Sequence, residues 1–163
     1  MKLYCKNPVV LALLCLMAGV FITISFLETP MKFQVSGITL PVALGLGKLM
    51  FELSTKIQCV FMALITGGML LNRKTYTKTD FMVTAILCTI LLLEKFWMLP
   101  FLNDRVELLS AGKSVPQSEM HSYFIYAESA KAVLLFLSII LQFKKHQNEY
   151  RNDRKNVRIP AAG

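Results

Sequence analysis

Charge is scarce in this sequence. Of its 163 residues 17% are Asp, Glu, Lys or Arg, against about a quarter in soluble domains, so an ordinary water-facing surface over most of the chain is excluded. Chemistry-bearing motifs are missing too. There is no H-E-x-x-H pair, no Gly-rich phosphate loop and no nucleophile elbow, which excludes the common zinc-hydrolase, nucleotide-binding and serine-hydrolase patterns. Only two histidines occur, one of them in the tail. His121, Glu128 and Glu94 are then too thin a ligand set for a metal, and no metal or cofactor is expected. No CxxC pair joins the four cysteines. Cys15, Cys59 and Cys88 lie in apolar blocks and Cys5 on the presumed cytoplasmic side, so they read as small buried hydrophobes rather than a disulfide framework.

What the chain has is apolar residues in blocks. Residues 8–27 carry no charge, and twenty residues at about 1.5 Å each match a hydrocarbon core of about 30 Å. The run is too long for a cleaved leader and lacks a small-residue cleavage site near its end. Pro30 and Gly37 then signal a loop, and Pro41 suits the first turn of a second helix over 42–71. A third helix is expected over 81–99 and a fourth over 123–143. Residues 103–122 read as a loop with a short helix over 104–110, and residues 144–163 as a basic tail, a helical extension that frays. The predicted architecture is an all-α bundle of four transmembrane helices (8–143) behind a short amino end (1–7).

The formal net charge of +8 is placed beside the apolar blocks. Lys2 and Lys6, then Arg73, Lys74 and Lys78, then the basic residues between Lys144 and Arg158 all fall on one side, opposed there only by Asp80, Glu149 and Asp153. By the positive-inside rule that side is the cytoplasm, giving a multi-pass cell (inner) membrane protein with both termini cytoplasmic. Nucleic acid is not an expected partner, because no reading motif accompanies the charge.

Three of the four helices reach full length only by accepting ionisable residues. Lys56, Glu94 and Glu128 fall at one depth, about 20–22 Å from the inner boundaries. Lys48, Glu52 and Lys56 recur every four residues, and His121, Glu128 and Lys131 share a helix face. With Glu28 these form a candidate polar binding cluster: Glu28, Lys48, Glu52, Lys56, Glu94, His121, Glu128 and Lys131. Charges among lipid tails should face the bundle interior or a vestibule. Two readings stay open here, an outward-facing pocket for a polar ligand or proton, and an ion-pair network that fixes helix register. Gly45, Gly47 and the Ala63-x-x-x-Gly67 spacing read as sites of close helix approach.

The stretches Phe26-Leu-Glu-Thr-Pro-Met-Lys-Phe33, Leu40-Pro-Val-Ala-Leu-Gly-Leu-Gly-Lys48 and Leu99-Pro-Phe-Leu-Asn-Asp-Arg105, with Ala111-Gly112 and residues 121–131, carry a resemblance. Over most of residues 8–143 the chain resembles small, uncharacterised bacterial tetraspan inner-membrane proteins, and distantly a human transmembrane-protein group of the same topology. The resemblance implies that topology and groups Glu28, Pro30, Lys32, Phe33, Arg105, His121, Glu128 and Lys131 together. It implies no catalytic role. Where the family has Leu-Glu-x-x-Lys in helix four, this chain reads Ala127-Glu128-Ser129-Ala130-Lys131.

Function is therefore expected at the charged cluster: binding, or helping to move, a small polar solute or ion. The alternative is an accessory subunit of a larger membrane complex, or a homo-oligomer, embedded in the lipid bilayer. A third, less favoured reading is a membrane enzyme acting on a lipid or quinone with His121 and Glu128 as its acid/base pair; it lacks a nucleophile, metal site or cofactor motif, so a non-enzyme is the favoured reading and the enzyme stays open.

Overall fold

The computed structural model describes residues 3–116 and 118–145. Asn7 caps the first helix, its side chain accepting from the backbone N–H groups of Val9 (3.0 Å) and Val10 (3.4 Å). Pro8 occupies the first turn, where its missing N–H is no loss. Helix α1 spans Pro8–Lys32, α2 Leu40–Leu71, α3 Lys78–Ser110 and α4 Met120–Leu141. A capping box opens α3, in which the Thr77 hydroxyl accepts from the Asp80 N–H and the Asp80 carboxylate from the Thr77 N–H. Each of the four helices is long and apolar enough to cross a membrane, as the hydropathy pattern predicts.

Helix α1 packs on α2, α2 on α3, α3 on α4 and α4 back on α1. The result is a closed antiparallel ring. Its terminal end carries a two-stranded ladder of β1 (Leu3–Cys5) and β2 (Phe143–Lys145), so both described chain ends leave from the same side. The distal end carries the connections that follow Lys32 and Ser110.

Two helices run further than their prolines suggest. The loop expected after Leu27 begins only after Lys32, and α3 passes Pro100 and continues to Ser110, absorbing residues expected to form a loop with a separate short helix. In each case a π-helical turn precedes the proline, over Thr23–Glu28 before Pro30 and over Glu94–Met98 before Pro100. A proline ring clashes with the carbonyl four residues earlier, here Phe26 and Phe96, and widening the helix relieves that clash without ending the helix. The Thr29 hydroxyl donates to the Ile24 carbonyl at 3.0 Å, and the Leu99 N–H donates to the Glu94 carbonyl. Helix α4 begins at Met120, three residues before its expected start. Residues 143–145 pair with the amino end instead of extending α4, and the rest of the expected tail lies outside the described residues.

The outward faces are apolar along the helices: Leu16, Val60, Leu64, Met82, Val133 and Ile140 are all more than half exposed. Water would penalise such a surface, whereas lipid tails accept it. The interior holds Val10, Leu14, Met17, Phe21, Ile65, Leu87, Leu91 and Leu135, yet buries Gln58, Glu94, Glu128 and Lys131 beside them. Cys15 is exposed and Cys59 and Cys88 are half-buried, so Cys15 faces outward rather than filling the core.

The two helical hairpins repeat with an offset of 70 residues. Helices start at Pro8 and Lys78, the interrupting prolines are Pro30 and Pro100, and the hairpins end at Leu71 and Leu141. Buried positions follow the same offset: Val10 and Asp80, Leu14 and Thr84, Met17 and Leu87, Phe21 and Leu91, Ile24 and Glu94 on the first helices. On the second helices the buried pairs are Ser54 and Phe124, Gln58 and Glu128, Ile65 and Leu135. Both hairpins begin and end at the terminal end, so the repeat is parallel.

Candidate functional site

The ionisable cluster divides into parts with different chemistry. At its centre, α3 supplies Glu94 and α4 supplies Glu128 and Lys131. The Lys131 ammonium donates to Glu128 Oε1 at 2.8 Å and to Glu94 Oε2, and the three side chains are only 8%, 1% and 1% exposed for Glu128, Glu94 and Lys131. Glu128 and Lys131 are three residues apart on one helix, so their side chains meet locally. Glu94 reaches them from the π-helical turn of α3. The ring of Phe21 on α1 covers the ammonium, 4.8 Å from centroid to Nζ, a cation–π contact in a dry setting.

Two features set this triad apart from a satisfied ion pair. It holds two carboxylates for one ammonium. Moreover, among the described residues Glu94 Oε1 and Glu128 Oε2 are both buried without a hydrogen-bond partner. With every group ionised the site would hold one uncompensated negative charge away from water, which is expensive.

Glu28, at the end of the π-helical turn of α1, pairs with Lys32 at 3.5 Å. Charge spacing leaves Lys32 outside the cluster, because Pro30 and Gly37 signal a loop there. Once α1 continues through Pro30, the two residues are four apart on one helix. The Lys32 ammonium is buried between the Phe33 and Phe51 rings, 5.6 Å from each centroid. Gly47 makes its place: a Cβ there would lie 2.6 Å from Lys32 Nζ. Gly68 likewise admits Val10, whose Cγ2 would sit 2.9 Å from an added Cβ, while Gly45 and Gly67 have nothing within 4 Å. Close approach is thus a property of Gly47 and Gly68.

The remaining cluster residues lie toward the periphery. Lys48 pairs with Glu107 of α3 at 2.5 Å, not with Glu52 on its own helix. Glu52 accepts from the Asn103 side-chain amide at 2.8 Å. Lys56 and His121 are exposed. His121 and Glu128 are seven residues apart on α4, about 10 Å along its axis, with Glu128 buried and His121 exposed. A groove of about 200 Å³ opens between α2 and α3, lined by Glu52, Thr55 and Lys56 on one side and by Lys95, Leu99 and Asn103 on the other. Among the described residues no three His, Cys, Asp or Glu side chains converge to hold a metal.

A second buried ion pair closes the terminal end. Lys6 donates to both oxygens of Asp80, at 2.8 and 2.7 Å, and the two side chains are 4% and 2% exposed. The Lys6 N–H donates to the Gln142 carbonyl at 2.8 Å, and the Tyr76 hydroxyl donates to Gln142 Oε1 at 3.4 Å. Burial and the neighbouring Asp80 carboxylate push the Tyr76 phenol above its ordinary value, so it remains a neutral donor. Lys6 and Asp80, expected only as orientation charges, thus form a buried pair; its signal in the sequence is the Thr77-x-x-Asp80 capping box, which fixes the carboxylate at a helix start.

No protein-family model matches the chain, and no curated protein or solved structure matches it either.

Proposed function

We propose that this multi-pass membrane protein binds a proton, or another small cation, at the Glu94–Lys131–Glu128 triad, and that binding or moving a small polar species there is its activity. One observation carries the reading: two buried carboxylates share one ammonium, and each keeps a buried oxygen without a hydrogen-bond partner among the described residues. A proton on either carboxyl removes the excess charge and gives one of those oxygens a hydrogen to donate, so the site has a physical reason to take one up. The repeat supports a role beyond packing. At the positions of Glu94 and Glu128 the first hairpin has Ile24 and Gln58, both buried, so a hairpin of this shape packs without carboxylates.

In the same reading the protein resides in the cell (inner) membrane with both termini cytoplasmic, on the strength of the basic residues grouped at the terminal end. Its kinship with the bacterial tetraspan proteins belongs to this proposal as well. Infrared difference spectroscopy on the purified protein tests the site. A carboxylic-acid C=O band should appear on acidification and be lost in Glu94→Gln or Glu128→Gln; a spectrum unchanged by either substitution refutes the reading.

The tight interior favours a second reading. Lys131 and Glu94 are sealed to 1% exposure, which leaves little room for a transport path and suits an accessory subunit docked on a larger membrane complex. Mild detergent extraction separates the two: stoichiometric co-purification with another membrane protein supports the subunit, and a stable lone monomer or homodimer argues against it.

A further inference from the structure

Among the described residues, the lysines with buried side chains each have an acidic partner: Lys6 has Asp80, Lys32 has Glu28, and Lys131 has Glu94 and Glu128. The half-buried Lys48 has Glu107. Lys56 and Lys95 differ. Neither lies within 4.0 Å of a carboxylate among the described residues, and both are exposed and line the same groove between α2 and α3. Side chains from separate helices thus bring two lysines without a carboxylate partner to the rim of one concave site of about 200 Å³, the Lys95 ammonium lying 5.4 Å from the centroid of the neighbouring Phe96 ring.

Depth identifies the environment of that site. Lys56 is fifteen residues from the terminal-end limit of α2 at Leu71, about 22 Å along the axis, and Lys95 is seventeen from Lys78, about 25 Å. Both fall near the distal limit of a core about 30 Å thick, where long lysine stems carry their charge outward to the headgroups. Phe96 and Trp97, 70% and 59% exposed, stand beside Lys95 at the level where aromatic side chains collect. The groove therefore opens sideways to lipid headgroups.

Its charge then selects the headgroup. Lys56 and Lys95 contribute two positive charges and Glu52 one negative, so the groove is monocationic. Glu52 accepts from Asn103 through Oε1 and offers its other oxygen to a donor. We propose that the groove binds one anionic phospholipid of the distal leaflet, with the phosphodiester held between Lys56 and Lys95 and a headgroup hydroxyl donating to Glu52. A phosphatidylglycerol-type lipid, with one negative charge and free hydroxyls, fits this arrangement. A zwitterionic lipid leaves the groove's charge uncompensated. The site is separate from the triad, and the proposal does not depend on proton binding there.

The full-length protein in mixed micelles, examined by native mass spectrometry against phosphatidylglycerol, phosphatidylethanolamine and phosphatidylcholine, tests this. One retained phosphatidylglycerol per protomer is expected. Lys56→Gln and Lys95→Gln should each weaken retention about tenfold, equivalent to about 1.4 kcal/mol, and the double variant should abolish selectivity. Lys113→Gln, an exposed lysine on the distal connection, should leave retention unchanged, and unfolding midpoints matching the wild type identify folded variants. Equal retention of all three lipids overturns the proposal. So does selectivity that survives in the folded double variant. Inorganic phosphate displacing the lipid at equimolar concentration would mark the groove as a phosphate site and overturn the assignment to lipid.

Discussion

Replacing Lys131 with methionine preserves side-chain length and removes the one positive charge in the buried triad. Two carboxylates, 1% and 8% exposed at the side chain, would then face each other with no counter-charge. Removing one partner from a buried ion pair costs about 3–5 kcal/mol, and loss of the contact with Phe21 adds about 0.5–2 kcal/mol. Glu94→Gln and Glu128→Gln act in the opposite sense, since each removes the surplus charge and leaves one carboxylate on the ammonium. They should stay within about 1 kcal/mol of the wild type, because an amide imitates a protonated carboxyl in shape. The double substitution of Glu94 and Glu128 strands Lys131 and should again lose about 3 kcal/mol or more. Reversible unfolding in mixed micelles under increasing SDS, followed by the fluorescence of Trp97, measures all four. Single glutamine variants as unstable as Lys131→Met would refute the reasoning, since both carboxylates would then be structural counter-charges and no excess charge would await a proton.

At the terminal end, Asp80→Ala removes both the partner of Lys6 and half of a capping box, and should destabilise by about 3 kcal/mol in the same assay. Lys6→Ala should cost a similar amount, and the double variant less than the sum, as contacting residues require. Gly68→Leu drives a side chain into Val10 and should loosen α1 from α2 by about 1–3 kcal/mol, whereas Gly67→Leu, in open space, should be near neutral. Reporter fusions after Gly163 and after Ser114 should report opposite compartments, the former cytoplasmic; the reverse result would invert the proposed orientation.

Four helices could be read from the sequence because long, largely apolar stretches have one economical fate in a bilayer, which is to satisfy every backbone polar group internally as a helix, even where three of them take in ionisable residues. Glu94, Glu128 and Lys131 were also visible, since charge inside such runs is rare and their shared depth follows from counting residues. The helix limits at Pro30 and Pro100 were not. Proline normally ends a helical pattern, and only the packed bundle holds the wider turns that carry α1 and α3 past it. That continuation is what brings Lys32 onto Glu28 and sets Asn103 opposite Glu52.

The partners of the charges mark the same boundary. Periodicity puts Lys48, Glu52 and Lys56 on one stripe, yet the structure sends them to Glu107, to Asn103 and to an unpaired place in the groove, because which residues on neighbouring helices meet depends on how the helices pack. Four helices of membrane-spanning length, with ionisable residues in the distal parts of three of them, follow from the residue pattern alone, since both reflect what lipid tails exclude. Which charges are sealed, which are paired and which stay open depends on the packing of the helices, because the dielectric around a side chain is set by residues distant in sequence that pack against it.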